Sequence, residues 1–292
     1  MPRPPIAGHT VANCRNCGEN VPPSARNCPS CQADAGFPNV RAAEASEEKA
    51  ALQQRLNDAE TSTKARKCEA VLRDFGSVVL ESKAVMCRNL GVVSSLVSSD
   101  NALYASYYKQ IEGEVRLPEG NRFDRGRAAV DGTLFPNYHT AICFAALSLD
   151  DVGPTAYGAY TVVLKEKMIS RRATVFEENS FLFCQLKHRI VVGEPIPPGY
   201  RTVWTDRNHL AMAKLHSKLD QTTRRGEYPA ILLRQGSAPD DADFIEVHIW
   251  GPIHRTAIER VVGPKPRSRE DRALWSSLKA KLDEVGAILE TR

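Results

Sequence analysis

The spacing of apolar residues changes several times along the chain, and each change marks a different kind of element. Residues 40–82 are rich in Ala, Glu, Lys, Gln and Leu and contain no proline, a composition that favours helix. Leu52, Leu56 and Ala59 fall on one face of it, and the stripe fades beyond them. From Ala84 the texture turns apolar. "AVMCRNLGVV" predicts a buried strand, "SSLVSSDNALYASYYKQI" a helix or helix–turn, and "DRGRAAVDGTLF" a short helix. "AICFAALSL", "YGAYTVVL" and "RATVF" are strand-like, with turn residues Asp150, Asp151, Gly153 and Pro154 after the first. "DRNHLAMAKLHSKL" is an amphipathic helix, with Leu210, Met212, Ala213 and Leu219 apolar. "AILLRQG" and "DFIEVHIWG" again read as strands. Residues 269–290 place Leu274, Leu278, Leu282, Val285 and Leu289 on one helical face. Helices and strands mix without regular βαβ alternation, so the fold class predicted is α+β, and no internal repeat is visible.

The cysteines divide the chain further. Of the eight, four are packed into residues 14–31, while Cys68, Cys87, Cys143 and Cys184 are scattered. Cys14 and Cys17 form one CxxC pair, Cys28 and Cys31 another, with ten residues between the pairs. Each pair can sit on a tight turn with both thiolates facing one point, and a short hairpin joins the turns. Four thiolates make the closed tetrahedral site that structural zinc prefers. A redox CxxC fits less well, because no βαβ pattern surrounds either pair. A closed site has no open coordination position for catalysis, and so short a segment has little core of its own, so the metal would supply folding energy. The segment resembles the short zinc ribbons at the N-termini of many bacterial proteins. The expected organisation is a zinc ribbon over 1–36, a helical spacer over 37–83, and an α+β putative catalytic domain over 84–292 ending in a helix. The spacer is a candidate coiled coil, through which a homo-oligomer could form.

Composition narrows the function classes. A chain of 292 residues with 42% hydrophobic and 25% charged residues is that of an ordinary globular protein. Its net charge of +4 permits an anionic partner without demanding one. No apolar run approaches the roughly 18 residues of a membrane span, and "MPRPP" lacks the apolar core of a signal peptide, so no membrane contact and a cytoplasmic location are expected. P-loop, GxGxxG, HExxH and GxSxG motifs are all absent.

What remains is a set of polar residues lodged in apolar strands. Arg88 lies in "MCRNLG", where a guanidinium must be paired and suits either a phosphate or a structural salt bridge. Tyr157-Gly158 offers a ring beside a sharp turn, and "RATVFEENS" sets Glu177, Glu178, Asn179 and Ser180 at a strand exit. Period-2 alternation in "FIEVHIWGPI" puts Glu246, His248 and Trp250 on one face and Ile245, Val247 and Ile249 on the other. That face is either a solvated surface or a catalytic edge.

"MCRNLGVVSSLVSSDNALYAS", "ICFAALSLDDVGPTAYGAYTVVLKEKMI" and "IEVHIWGP" together resemble the scattered signature of ADP-ribosyltransferase-like domains, over residues 84–262. The resemblance implies NAD as the cofactor consumed. It gives Arg88 the NAD phosphate or ribose, and places Tyr157 or Ser180 near nicotinamide. Glu246 would orient a ribose hydroxyl and stabilise the oxocarbenium ion, with His248 as an acid or base for the acceptor or as a hydrogen-bond partner of Glu246. The chain departs from the family pattern in having no ExE or QxE, and "EENS" where "STS" would stand. The leading expectation is an NAD-consuming effector or toxin, of the kind used in bacterial defence, aimed by its ribbon at a protein or nucleic acid. A non-enzymatic zinc-ribbon adaptor competes with it, supported by Arg15 and Arg26 beside the knuckles and the basic segment "GPKPRSREDR". Asp240, Asp241, Asp243 and Glu246 would serve a third class, the metal-dependent nuclease, although "APDDAD" reads first as a hairpin turn.

Overall fold

The alternating stretches assemble into one sheet. In the computed structural model, which describes residues 12–104, 106–112, 122–191, 193–238 and 241–292, eight strands join it. They are β1 Lys83–Arg88, β2 Ile142–Ser148, β3 Tyr160–Leu164, β4 Ala173–Phe176, β5 Arg201–Val203, β6 Glu246–Trp250, β7 Ile258–Gly263 and β8 Ile288–Thr291. Their spatial order is β8-β7-β3-β1-β2-β6-β4-β5. All neighbours run antiparallel except β7 and β8. The main helices are α1 Pro38–Ala43, α2 Ser46–Ala65, α3 Glu69–Val79, α4 Leu90–Val97, α5 Arg122–Leu134, α6 Arg207–Leu215 and α7 Arg269–Asp283. The class is therefore α+β around a large mixed sheet, with a cysteine cluster at the N-terminal end. Among the described residues no helix is long and apolar enough to cross a membrane.

The two faces of the sheet are covered differently. Met86, Leu147, Val162, Val175, Val247 and Val261 join Phe75 of α3, Val93 of α4, Leu210 of α6 and Leu278 of α7 in one continuous core. Burying each such side chain contributes about 1.5–3 kcal/mol. The opposite face carries two smaller clusters. In one, Val130 and Leu134 of α5 meet Ile142, Phe176 and Phe183; in the other, Val85, Ala146 and Val163 meet Leu233, Ala242 and Phe244.

The 37–83 stretch is helical, but its apolar stripe is spent on the domain and forms no coiled-coil seam in this chain. Leu52, Leu56 and Ala59 are buried in the same core as the sheet. Polar contacts fix α2 further. Arg55 donates to both Glu177 carboxylate oxygens, at 2.9 and 2.7 Å, and to the Gly199 carbonyl at 2.6 Å. Glu48 accepts from the Gly199 amide at 2.6 Å and pairs with Arg201 at 2.6 Å. A stripe only three residues long is too short for a self-sufficient coiled coil and needs a partner surface.

Three element assignments also differ from the sequence pattern. "AVMCRNLGVV" is strand only to Arg88, and α4 begins at Leu90. "AILLRQG" holds the end of a short helix, Tyr228–Leu232, with Pro229 in its first turn; short apolar runs do not distinguish a strand from a buried helix. The C-terminal helix stops at Asp283, so Leu278 and Leu282 are buried on it while Leu289 lies in β8. Gly286, with φ +65°, turns the chain between the two.

In the ribbon, the hairpin of Ala12–Asn13 and Asn20–Val21 carries the first CxxC turn, and an antiparallel bridge between Asn27 and Asp34 brackets the second. Arg41 of α1 fastens the ribbon. Its guanidinium donates to five backbone carbonyls, those of Pro22, Pro23, Ala25, Ala35 and Gly36, at 2.8–3.1 Å. Such a fork suits several acceptors at once.

Leu56→Ala is expected to lower the unfolding free energy of the whole protein by about 2–5 kcal/mol in chemical denaturation, as for other buried leucines. An unchanged midpoint would mean that α2 stands apart from the domain.

Candidate functional site

Two sites were expected; the four cysteines converge, and the residues of the second set other than His248 line one cavity. In the ribbon, one ligand atom from each of Cys14, Cys17, Cys28 and Cys31 lies within 4.8 Å of all the others. Cys14 and Cys31 are 3.6 Å apart at sulfur, as are Cys17 and Cys28. A tetrahedron of thiolates about 2.3 Å from zinc has edges of about 3.8 Å, close to the two 3.6 Å pairs, so the set could hold a metal ion such as zinc. The two turns are alike. The Gly18 and Gln32 amides donate to the Cys14 and Cys28 carbonyls, both at 2.9 Å, and both residues take positive φ, at 78° and 60°. Cys14, Val21 and Cys28 are the only buried apolar residues of this unit among the described residues, so the metal would hold its fold. Arg26, one of the basic residues beside the knuckles, is tied to Asp34 and lies 4.1 Å over the Phe37 ring.

The second site is a cavity of about 920 Å³ on the sheet face away from α2 and α3, bordered by both smaller clusters. Arg88, Tyr157, Ser180 and Glu246 all line it, although they come from four separate segments. Glu246 sits deep in the sheet, paired with Ala146 on one side and Phe176 on the other. Its Oε2 accepts from the Ser180 amide at 3.1 Å and from His248 Nε2 at 2.9 Å. Ser180 thus meets Glu246 through its backbone N–H. Asn179 holds that turn: its Oδ1 accepts from the Phe181 and Leu182 amides, and its Nδ2 donates to the Tyr157 hydroxyl at 2.9 Å. Tyr157 is pushed up to about 12 by burial and by the charge of Glu246, so it stays a neutral phenol.

His248 shares a strand face with Glu246, as the alternation predicts, but it is not on the cavity wall. It is buried among the rings of Phe135, Phe144 and Phe176, at 4.8, 5.3 and 5.5 Å between centroids. Its ring nitrogen Nε2 meets Glu246 and not the cavity. Arg88 is held by the Tyr104 hydroxyl, 2.8 Å from Nε, and by the Cys87 carbonyl. Gly158 is what allows the approach here: with φ +144°, a Cβ on it would lie 2.3 Å from the Arg88 carbonyl carbon.

The sequence reading missed a third group. Arg127 and Asp131, one turn apart on α5, also line the cavity. The Tyr108 hydroxyl donates to Asp131 Oδ2 at 2.8 Å. Burial pushes the Asp131 carboxyl up to about 7, with Glu246 adding to the effect and Arg127 and Tyr108 opposing it. Arg127 loses solvation by burial, but the charges of Asp131 and Glu246 more than offset this and raise its pKa. The signal lay in "RGRAAVDG", where an i, i+4 Arg–Asp pair interrupts an apolar helix face.

The nuclease carboxylates do not converge. Asp241 accepts from Ser237, and Asp243 is bonded to Lys214 and Lys218 at 2.6 and 2.7 Å; Asp240 lies outside the described residues. Among the described residues, the four cysteines form the only group of three or more His, Cys, Asp or Glu placed to hold a metal. No protein-family model matches the chain, and no curated protein matches it.

Bound metal is expected at one ion per chain by elemental analysis, and Cys28→Ser is expected to lose it. The buried acid gives a second expectation. Folded Asp131 keeps its proton up to about pH 7, whereas an exposed aspartate loses it near 3.9. The folded state therefore binds more protons between those values, so this stabilisation is fully present below about pH 4 and is lost as the pH rises towards 7. Thermal melts across that range should show Asp131→Asn losing less stability with rising pH than the wild type.

Proposed function

We propose that the chain is an NAD-consuming, ADP-ribosyltransferase-like enzyme whose reaction takes place at Glu246, with zinc in the ribbon as a structural ion. The observation that carries this reading is that Arg88, Tyr157, Ser180 and Glu246, singled out from distant stretches, line a single cavity. At about 920 Å³ that cavity is large enough for a dinucleotide.

Cleavage at the nicotinamide bond needs a stabilised cationic ribose more than a strong base, so one well-held carboxylate can suffice. The Ser180 amide and His248 keep Glu246 oriented through two hydrogen bonds to one carboxylate oxygen. Tyr104 and Tyr157 supply ring faces, and Arg88 a guanidinium for phosphate. A role as an effector or toxin in bacterial defence follows from the resemblance alone, while a cytosolic setting is expected from the apolar pattern of the sequence and the ribbon is proposed to meet a protein or nucleic acid. The adaptor reading gains little, because Arg26 is already paired with Asp34.

Glu246→Gln is expected to reduce NAD turnover by about 10²–10³-fold, the usual cost of removing one transition-state-stabilising group, while the melting temperature stays within a few degrees. Zinc-loaded wild-type protein that neither binds nor consumes NAD would leave the adaptor reading in its place.

A further inference from the structure

We propose that Asp131 is a second catalytic carboxyl of this cavity, the base that takes the proton from the attacking hydroxyl. The inference rests on the NAD reading above and adds a residue to it.

Two carboxyl groups on different elements, one on α5 and one on β6, line the same space. They are held in different ways. Glu246 has two donors on a single oxygen, which fixes its orientation at the cavity. Asp131 accepts from the Tyr108 hydroxyl on Oδ2. The groups that act on it are Arg127 from its own helix, Tyr108 from the segment Tyr107–Glu112, and Glu246 from β6. Cys184 feels its charge from the far side, and burial keeps that thiol neutral, at about 12. A carboxyl serving only as a salt-bridge partner would be held ionised well below neutrality, as Asp243 is, at about 2, by Lys214 and Lys218 despite its burial. Asp131 instead titrates near pH 7, where a base is most useful. Two carboxyls on one cavity can divide the work, one stabilising charge and the other transferring a proton.

With water as acceptor the step balances without redox change. The bond from the ribose anomeric carbon to nicotinamide breaks, and its electron pair leaves with the ring nitrogen. The water oxygen bonds to that carbon, its proton passes to the Asp131 carboxylate, and the base later releases the proton to solvent.

The test is the pH profile of NAD hydrolysis, with NAD binding measured alongside by calorimetry. The wild type is expected to gain activity through a limb near pH 7. Asp131→Asn is expected to bind NAD within about threefold of the wild type but to turn over about 10²–10⁴-fold more slowly, without that limb. Tyr108→Phe, which removes the hydroxyl that donates to Asp131, should move the limb to higher pH, and it serves if the asparagine variant does not fold. Wild-type turnover and an unchanged profile in Asp131→Asn, loss of NAD binding in that variant, or an unmoved limb in Tyr108→Phe would overturn the role of Asp131 and leave the NAD reading standing. Absence of NAD binding and turnover in the wild type would remove both.

Discussion

A carboxylate in the middle of a sheet must be compensated, and the compensation of Glu246 organises one whole face of this protein. Glu246 lies between Ala146 and Phe176 in the ladder. Leaving an ion there without partners would cost several kcal/mol. Its partners come from three directions. His248 is two residues along the same strand, the Ser180 amide is presented by a turn that Asn179 caps, and Arg127 reaches in from α5. Each partner needs its own support, which is why Phe135, Phe144 and Phe176 enclose His248 and why Asn179 also bonds Tyr157. The cavity is what this arrangement leaves between the two smaller hydrophobic clusters.

Much of this was legible in the sequence where a period was strict. The alternation of Ile245, Val247 and Ile249 against Glu246, His248 and Trp250 gave β6 its faces, and the cysteine spacing gave the ribbon. β2, β3 and β4 also fall where their apolar runs lie. What was not legible depended on tertiary partners. Leu52, Leu56 and Ala59 make the same pattern whether they face a coiled-coil mate or a sheet, and only the fold shows that they face the core. Leu289 continues the helical spacing of Leu278 and Leu282 and yet belongs to a strand, because Gly286 turns the chain first. Asp131 was passed over because a polar residue on a helix usually faces water; its i, i+4 spacing from Arg127 hints at a pair, but only the fold shows that it is buried against Tyr108.

The ribbon also proves to be joined to the rest of the chain. Arg41 holds its loop by five carbonyls, and the helix bearing Arg41 is in turn held to the sheet. The Asn39 amide donates to the carbonyls of Arg172 and His248, and Phe37 lies 6.5 Å from the Trp250 ring. The cysteine cluster therefore rests, through α1, on the strand that carries Glu246. An element that looked separate in sequence shares its support with the cavity.

The central claim is that the cavity beside Glu246 receives a nucleotide whose ribose carbon meets that carboxylate. A crystal structure of the zinc-loaded protein with an unreactive NAD analogue tests it most directly. The account predicts the ribose against Glu246, with the nicotinamide near Tyr157 and a phosphate near Arg88. An analogue bound elsewhere, or one bound in the cavity with its ribose away from Glu246, would contradict it.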